Sequence, residues 1–296
     1  MAPHTPGEYS ERYFDRLRHT PEAEGYESTD RPYAERFLGQ SRNARPKSDP
    51  EPVTEPQASA AETDARARPT LQPRGSQLSL SSKMQRWLTG NERELANLEG
   101  NMVANSKAVK RLWVTSAFDG EGKTTAAFNA AFGLLRAGHR RVLLVDGNPD
   151  RPAIASWFEA RPTPGLREVL GGEISVEMAL HPSRYSGLDV MMIGNGWQSL
   201  GNRLPPMAMR QFLDIVADSY DFIVIDGSST YGSSDTSRVG VLCDGAILAV
   251  TCGQTKWEVL QDTADHVRSL DIDVLGVVLN QRRFYIPTAV YRWLAR

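Results

Sequence analysis

RLWVTSAFDGEGKTT, residues 111–125, is the stretch whose reading decides the fold. A β-rich run from Arg111 to Thr115 opens it, a loop with two glycines follows, and a helix is expected from Lys123 to Ala137, where Gly138 stops it. That order is a phosphate-binding context. In the loop Gly120-Glu121-Gly122 the glycines let backbone N–H groups turn inward around a phosphate, and the positive end of the helix faces the same point. Lys123 supplies a mobile cation for the β and γ oxygens, Thr124 a hydroxyl for Mg²⁺, and Thr125 a donor to the α-phosphate. The spacing GxxxxGK[ST] is met except that Ala117 stands at the first glycine. A lone Gly-Lys-Thr is often an ordinary turn before a helix; the strand on one side and the helical pattern on the other argue against that reading.

Such a loop needs carboxylates opposite it, to hold Mg²⁺ and to orient the attacking group. Two apolar runs end in aspartate: RVLLVD, closing at Asp146, and YDFIVID, closing at Asp226, which fits the Walker B role. Strand ends of this kind are where open α/β sheets bind ligands. The same alternation continues, with strands expected at Leu188–Ile193, Ala246–Thr251 and Val274–Leu279 and helices at Met207–Ala217 and Trp257–Leu270. Runs filled with Val, Ile and Leu between helices predict an α/β fold of the P-loop NTPase type, with a mostly parallel central sheet covered on both faces.

The motifs together, VTSAFDGEGKTT, VLLVDGNPDRP and YDFIVID, resemble the bacterial tyrosine kinases of capsule and exopolysaccharide loci, which carry a deviant P-loop of the MinD/ParA-like class. PGLREVLGG (164–172) and VLGVVLN (274–280) also resemble the body of that family, and the likeness spans roughly Ser82 to Arg296. It implies an ATP- and Mg²⁺-dependent autokinase that phosphorylates tyrosines on a neighbouring subunit and so controls polymer length and export. It makes Lys123, Asp146 and Asp226 the catalytic set, with Thr124, Asp146 and Asp226 at the metal. It also puts Asn280 where related ATPases hydrogen-bond adenine, although a strand-end asparagine is more often a turn residue. Some members fuse this domain to a two-helix membrane protein, so a separate membrane co-polymerase or adaptor is the expected partner here. The chain is then expected in the cytoplasm, at the inner face of the plasma membrane.

The remainder of the chain sets bounds. Of 296 residues 40% are hydrophobic, and the formal net charge of −2 gives no bulk attraction for nucleic acid. Cys243 and Cys252 form neither a disulfide scaffold nor a zinc pattern, and no run approaches the apolar length of a membrane helix. Residues 1–80 hold more than half of the prolines, many charges and few aliphatics. That composition buries too little to offset ordering, so disorder is expected there, interrupted by two islands, Tyr9, Tyr13, Phe14 and Leu17 and then Tyr33, Ala34, Phe37 and Leu38, which read either as short docking helices or as transient amphipathic turns with no dedicated function. The ATPase or kinase domain is expected over 81–296, with Ser81 or Ser82 capping a helix that carries Met84, Trp87 and Leu88, and a second helix from Asn91 to Glu99.

Several positions depart from the family. The second aspartate of its second motif is Asn148 here, and an amide cannot accept a tyrosine proton. Asp150 replaces an adjacent basic residue, while Arg151 and Pro152 agree. The tyrosine cluster is thin: Tyr285 and Tyr291 near the C-terminus, with Tyr9 and Tyr13 as acceptors on a flexible tail. A homo-oligomer is compatible with the family, although its ring-forming Glu/Arg motif is not recognisable in residues 92–101. Two other function classes compete. One is a MinD/ParA-like ATPase switch, whose signature lysine is replaced here by Phe118; the other is a nucleotide-holding scaffold without kinase turnover.

Overall fold

The computed structural model describes residues 70–90, 109–138, 141–197, 203–232 and 236–281. In chain order their elements are α1 (Ser82–Gly90), β1 (Arg111–Ser116), α2 (Lys123–Arg136), β2 (Val142–Asp146), α3 (Ile154–Trp157), α4 (Leu166–Leu170), α5 (Val176–Ala179), β3 (Leu180–Pro182), β4 (Leu188–Met191), α6 (Pro206–Ala217), β5 (Phe222–Asp226), α7 (Thr236–Gly240), β6 (Gly245–Thr251), α8 (Trp257–Ser269) and β7 (Asp273–Asn280). The strands make one sheet in the order β3-β4-β2-β5-β1-β6-β7. All neighbours are parallel except β3 and β4.

Side chains alternate across this sheet, and the alternation sorts the core into layers. Val142, Leu144, Phe222 and Val224 pack with α2 and α1 on one face, whereas Leu143, Val145, Ile223 and Ile225 pack with α6 on the other. Trp113, Ala246 and Leu248 meet α8. Counting on by twos, Asp146 and Asp226 fall on the α2 face. Alanines 126, 127, 130 and 131 let α2 lie close to the strands, and Phe128 anchors it, with ring centroids 4.4 Å from Phe132, 5.3 Å from Trp157 and 6.0 Å from Trp87. Removing such a buried aromatic typically costs about 3–5 kcal/mol.

Two boundaries differ from expectation for visible reasons. β4 stops at Met191 rather than Ile193, because the Met192 and Ile193 carbonyls accept hydrogen bonds from the Leu166 and Arg167 amides at the start of α4 (2.7 and 3.0 Å). The packed part also begins before residue 81. Residues 70–80 run as a strap along the β3 edge: Gly75 N donates to Leu180 O (2.9 Å), Leu78 N to Pro182 O (2.8 Å), and Leu78 and Leu80 are buried. A few aliphatic residues in a polar stretch suffice when an open sheet edge offers backbone partners. Ser81 Oγ accepts from Met84 N (3.3 Å), the cap expected for α1. The helix expected over Asn91–Glu99 lies outside the described residues.

Candidate active site

The phosphate loop joins the C-terminal end of β1, near the middle of the sheet, to the N-terminus of α2. Gly120 (φ 87°) and Gly122 (φ 92°) both occupy the left-handed region that favours glycine. The loop is braced from within by Glu121, which is 5% exposed: its carboxylate accepts from Phe118 N (2.8 Å) and from the Thr255 hydroxyl in the loop after β6. Lys123 is the first residue of α2 and is buried; Thr124 and Thr125 follow in the first turn, half-buried.

Lys123 does not face open space. Its Nζ lies 3.1 Å from Asp119 Oδ1, the same oxygen accepts from Ser229 Oγ (2.8 Å), and Arg151 Nε is 3.3 Å from Oδ2. One carboxylate thus gathers donors from the start of α2 and from the loops after β2 and β5. Burial alone would raise the Asp119 pKa, but the Lys123 charge, the Ser229 hydroxyl and Arg151 outweigh it and hold the group below its ordinary 3.8.

Asp146 and Asp226 are register partners on the adjacent parallel strands β2 and β5, and both are fully buried. Asp146 Oδ2 accepts from Ile154 N (3.2 Å) and Oδ1 from Asn148 N (3.4 Å). Neither oxygen of Asp226 has a hydrogen-bond partner of normal geometry, although the Thr124 hydroxyl lies close enough to lower its pKa. Burial and the facing Asp226 charge drive Asp146 up to about 8, against those backbone donors. Burial drives Asp226 up to about 7, against Thr124 and Lys123. The two titrate as a pair that keeps a proton into the neutral range.

Orphaned buried carboxylate oxygens beside a threonine hydroxyl are the donor set a hard cation requires, so these residues fit Mg²⁺. Among the described residues no group of three or more His, Cys, Asp or Glu could hold a metal.

Asn148 lies 3% exposed beside this pair, its Oδ1 accepting from Ser228 Oγ (3.1 Å) and from Arg151 N (3.3 Å). Phe118 turns its ring onto Tyr231, with centroids 5.6 Å apart. Asn280, at the end of β7, meets the loop through its amide, whose Nδ2 donates to Glu121 O (3.1 Å). Tyr9, Tyr13, Tyr285 and Tyr291 lie outside the described residues. The fold therefore brings Gly120, Glu121, Gly122, Lys123, Thr124, Thr125, Asp146, Asp226 and Asn280 to one end of the sheet. The motif reading did not single out Asp119, Arg151, Ser229, Thr255 or Gln281 as members of the site, although Asp119 and Arg151 lie inside the motifs that carry the resemblance. Ser229, Thr255 and Gln281 left no such signal.

No protein-family model matches the chain. Among curated proteins it is 27% identical over 177 residues to the tyrosine-protein kinase YwqD of Bacillus subtilis, covering 60% of this chain and 74% of YwqD. It is equally 27% identical over 183 residues to the succinoglycan biosynthesis transport protein ExoP of Rhizobium meliloti, where the match covers 61% of this chain but 23% of ExoP. Among solved structures the kinase domain of VpsO superposes with a TM-score of 0.56 at 24% identity, over 66% of this chain and 99% of that one. The cell division ATPase MinD of Pyrococcus furiosus gives 0.53 at 22% identity, over 62% and 78%. At those identities the structures speak for a shared P-loop NTPase fold.

Proposed function

We propose that this chain, a relative of the bacterial tyrosine kinases, binds ATP with Mg²⁺ at the β1–α2 loop and transfers the terminal phosphoryl group to tyrosine, on itself or on a second copy. The observation that carries the reading is the facing pair Asp146 and Asp226, buried at the mouth of α2 with the Asp226 oxygens unpaired. When bound, Mg²⁺ would neutralise phosphate charge, with Thr124 and Asp226 placed to hold it and Asp146 behind them. The N–H groups of Gly120 to Lys123 and the positive end of α2 orient the phosphates. Lys123 exchanges its contact with Asp119 for the β and γ oxygens. Asp146, whose pKa is raised, is the group able to take the tyrosine proton, since the Asn148 amide cannot.

Similarity to ExoP supports a role in polysaccharide synthesis and export. No helix of the described residues is long and apolar enough to cross a membrane. By the same similarity, a membrane co-polymerase or adaptor of the export system is the proposed partner. A second reading is favoured by Asn148: nucleotide binding with little or no transfer to tyrosine, as an ATPase switch or a scaffold. The switch lacks one part, because Phe118, at the signature-lysine position, is packed on Tyr231 and supplies no charge to a partner's phosphates. Incubation of the purified chain and a membrane adaptor with labelled ATP separates these readings. Alkali-stable label on tyrosine supports the kinase, phosphate release alone the switch, and binding without turnover the scaffold. If Lys123→Ala kept full affinity and activity, the site itself would be wrongly placed.

A further inference from the structure

The loop that is to wrap a phosphate must turn its N–H groups inward, which sends its carbonyls outward, where they need donors of their own. Two side chains from the end of β7 supply them. Asn280 Nδ2 donates to Glu121 O (3.1 Å), and Gln281 Nε2 donates to Gly120 O (2.6 Å). Neither residue is loosely placed. Asn280 O accepts from Cys252 N (2.9 Å), and Asn280 is in register with Thr251 at the end of β6. Gln281 then turns sharply, at φ 56°, which returns its side chain toward the loop. The fit is close: a Cβ on Gly122 would lie 1.6 Å from Asn280 Nδ2. Gly122 is thus required twice, by its left-handed φ and by the amide against it.

We propose that Asn280 and Gln281 are positioning residues of the phosphate loop, two amides that fix its carbonyls from behind so that its N–H groups stay aimed at a polyphosphate. The inference rests on the nucleotide-site reading above, and it differs from a base-reading role for Asn280 in what it predicts for ligands that have no base. Loss of either donor leaves the loop free to rotate a peptide, which weakens every polyphosphate alike.

The test uses the full chain and its Asn280→Ala, Gln281→Ala and Gln281→Lys variants, titrated with Mg-ATP, Mg-GTP and inorganic tripolyphosphate. Gln281 is exposed, so its replacement leaves the core intact. Both alanine variants should lose roughly 5- to 30-fold in affinity for all three ligands, with the ATP-to-GTP ratio unchanged. Gln281→Lys, which keeps a donor, should recover most of the loss. A loss confined to ATP in Asn280→Ala would assign that residue to the base and overturn the proposal, as would unchanged tripolyphosphate affinity in Gln281→Ala. If the unaltered chain bound none of the three ligands, the nucleotide-site reading would fail first, and this inference with it.

Discussion

Asp146 and Asp226 sit opposite each other as register partners across β2 and β5, two fully buried carboxyls with only backbone donors to one of them. Ionising both of these buried carboxyls is costly, and the fold sets that cost where β1 delivers the phosphate loop.

The pair gives the apoprotein a pH signature. Burial raises both carboxyls above the ordinary 3.8, helped at Asp146 by the facing Asp226 charge, so the native state holds these protons more tightly than the unfolded chain. Their contribution is therefore complete below about pH 4 and is lost as pH rises through the neutral range. Melting temperature without nucleotide should fall between pH 5 and pH 8 from this source. Asp226→Asn should flatten that slope and stabilise the apoprotein at pH 8 by roughly 1–2 kcal/mol, while abolishing any stabilisation by Mg²⁺ with nucleotide. A slope unchanged in Asp226→Asn would show that the pair does not titrate as described.

Asp119 competes with the ligand it adjoins. Its carboxylate holds Lys123 and would lie against incoming phosphates, so Asp119→Asn should tighten Mg-ATP binding by roughly fivefold at low salt, the size of one partly screened charge contact. Calorimetric titration at two salt concentrations checks this, since added salt should shrink the difference. Weaker binding in the variant would mean that Asp119 helps the ligand rather than opposing it.

Asn148 is the position at which the resemblance to the tyrosine kinases would put a carboxylate. Its Oδ1 is already an acceptor from Ser228 and Arg151, and an aspartate would keep both bonds. Asn148→Asp should raise transfer to tyrosine by about tenfold or more, in the range of general-base assistance, as read by the rate of phosphotyrosine formation. An unaltered rate would place the base work on Asp146 alone.

Lys123→Ala removes the buried cation from the first turn of α2. Turnover should drop by about a hundredfold or more, the loss expected when a charge that stabilises the transition state is deleted. The circular-dichroism spectrum should be unchanged, because the truncated side chain ends at the mouth of the site.

Much of this was legible from residues 111–125 alone. The glycine loop, the strand before it and the two aspartate-ended runs were enough to expect a parallel sheet with Asp146 and Asp226 at its ligand-binding end. What stayed hidden depends on contacts between residues far apart in the chain. Thr255 meets Glu121 across 134 positions and Gln281 meets Gly120 across 161, and no periodicity or spacing encodes either pair. The strap from Thr70 to Leu80 was hidden for a related reason: its composition is polar, and its order comes from the β3 edge against which it lies. The short α3, α4 and α5 carry too few residues to show a helical period.

The central claim, that this loop and its paired aspartates move phosphate onto tyrosine, is met most directly by a phosphopeptide map. The purified chain and its Lys123→Ala variant are incubated with ATP and Mg²⁺ and then digested for mass spectrometry. The account predicts phosphotyrosine in the unaltered chain, at Tyr285 or Tyr291 near the C-terminus or at Tyr9 or Tyr13 near the N-terminus, and none in the variant. Absence of phosphotyrosine from the unaltered chain, or equal modification of both proteins, would contradict it.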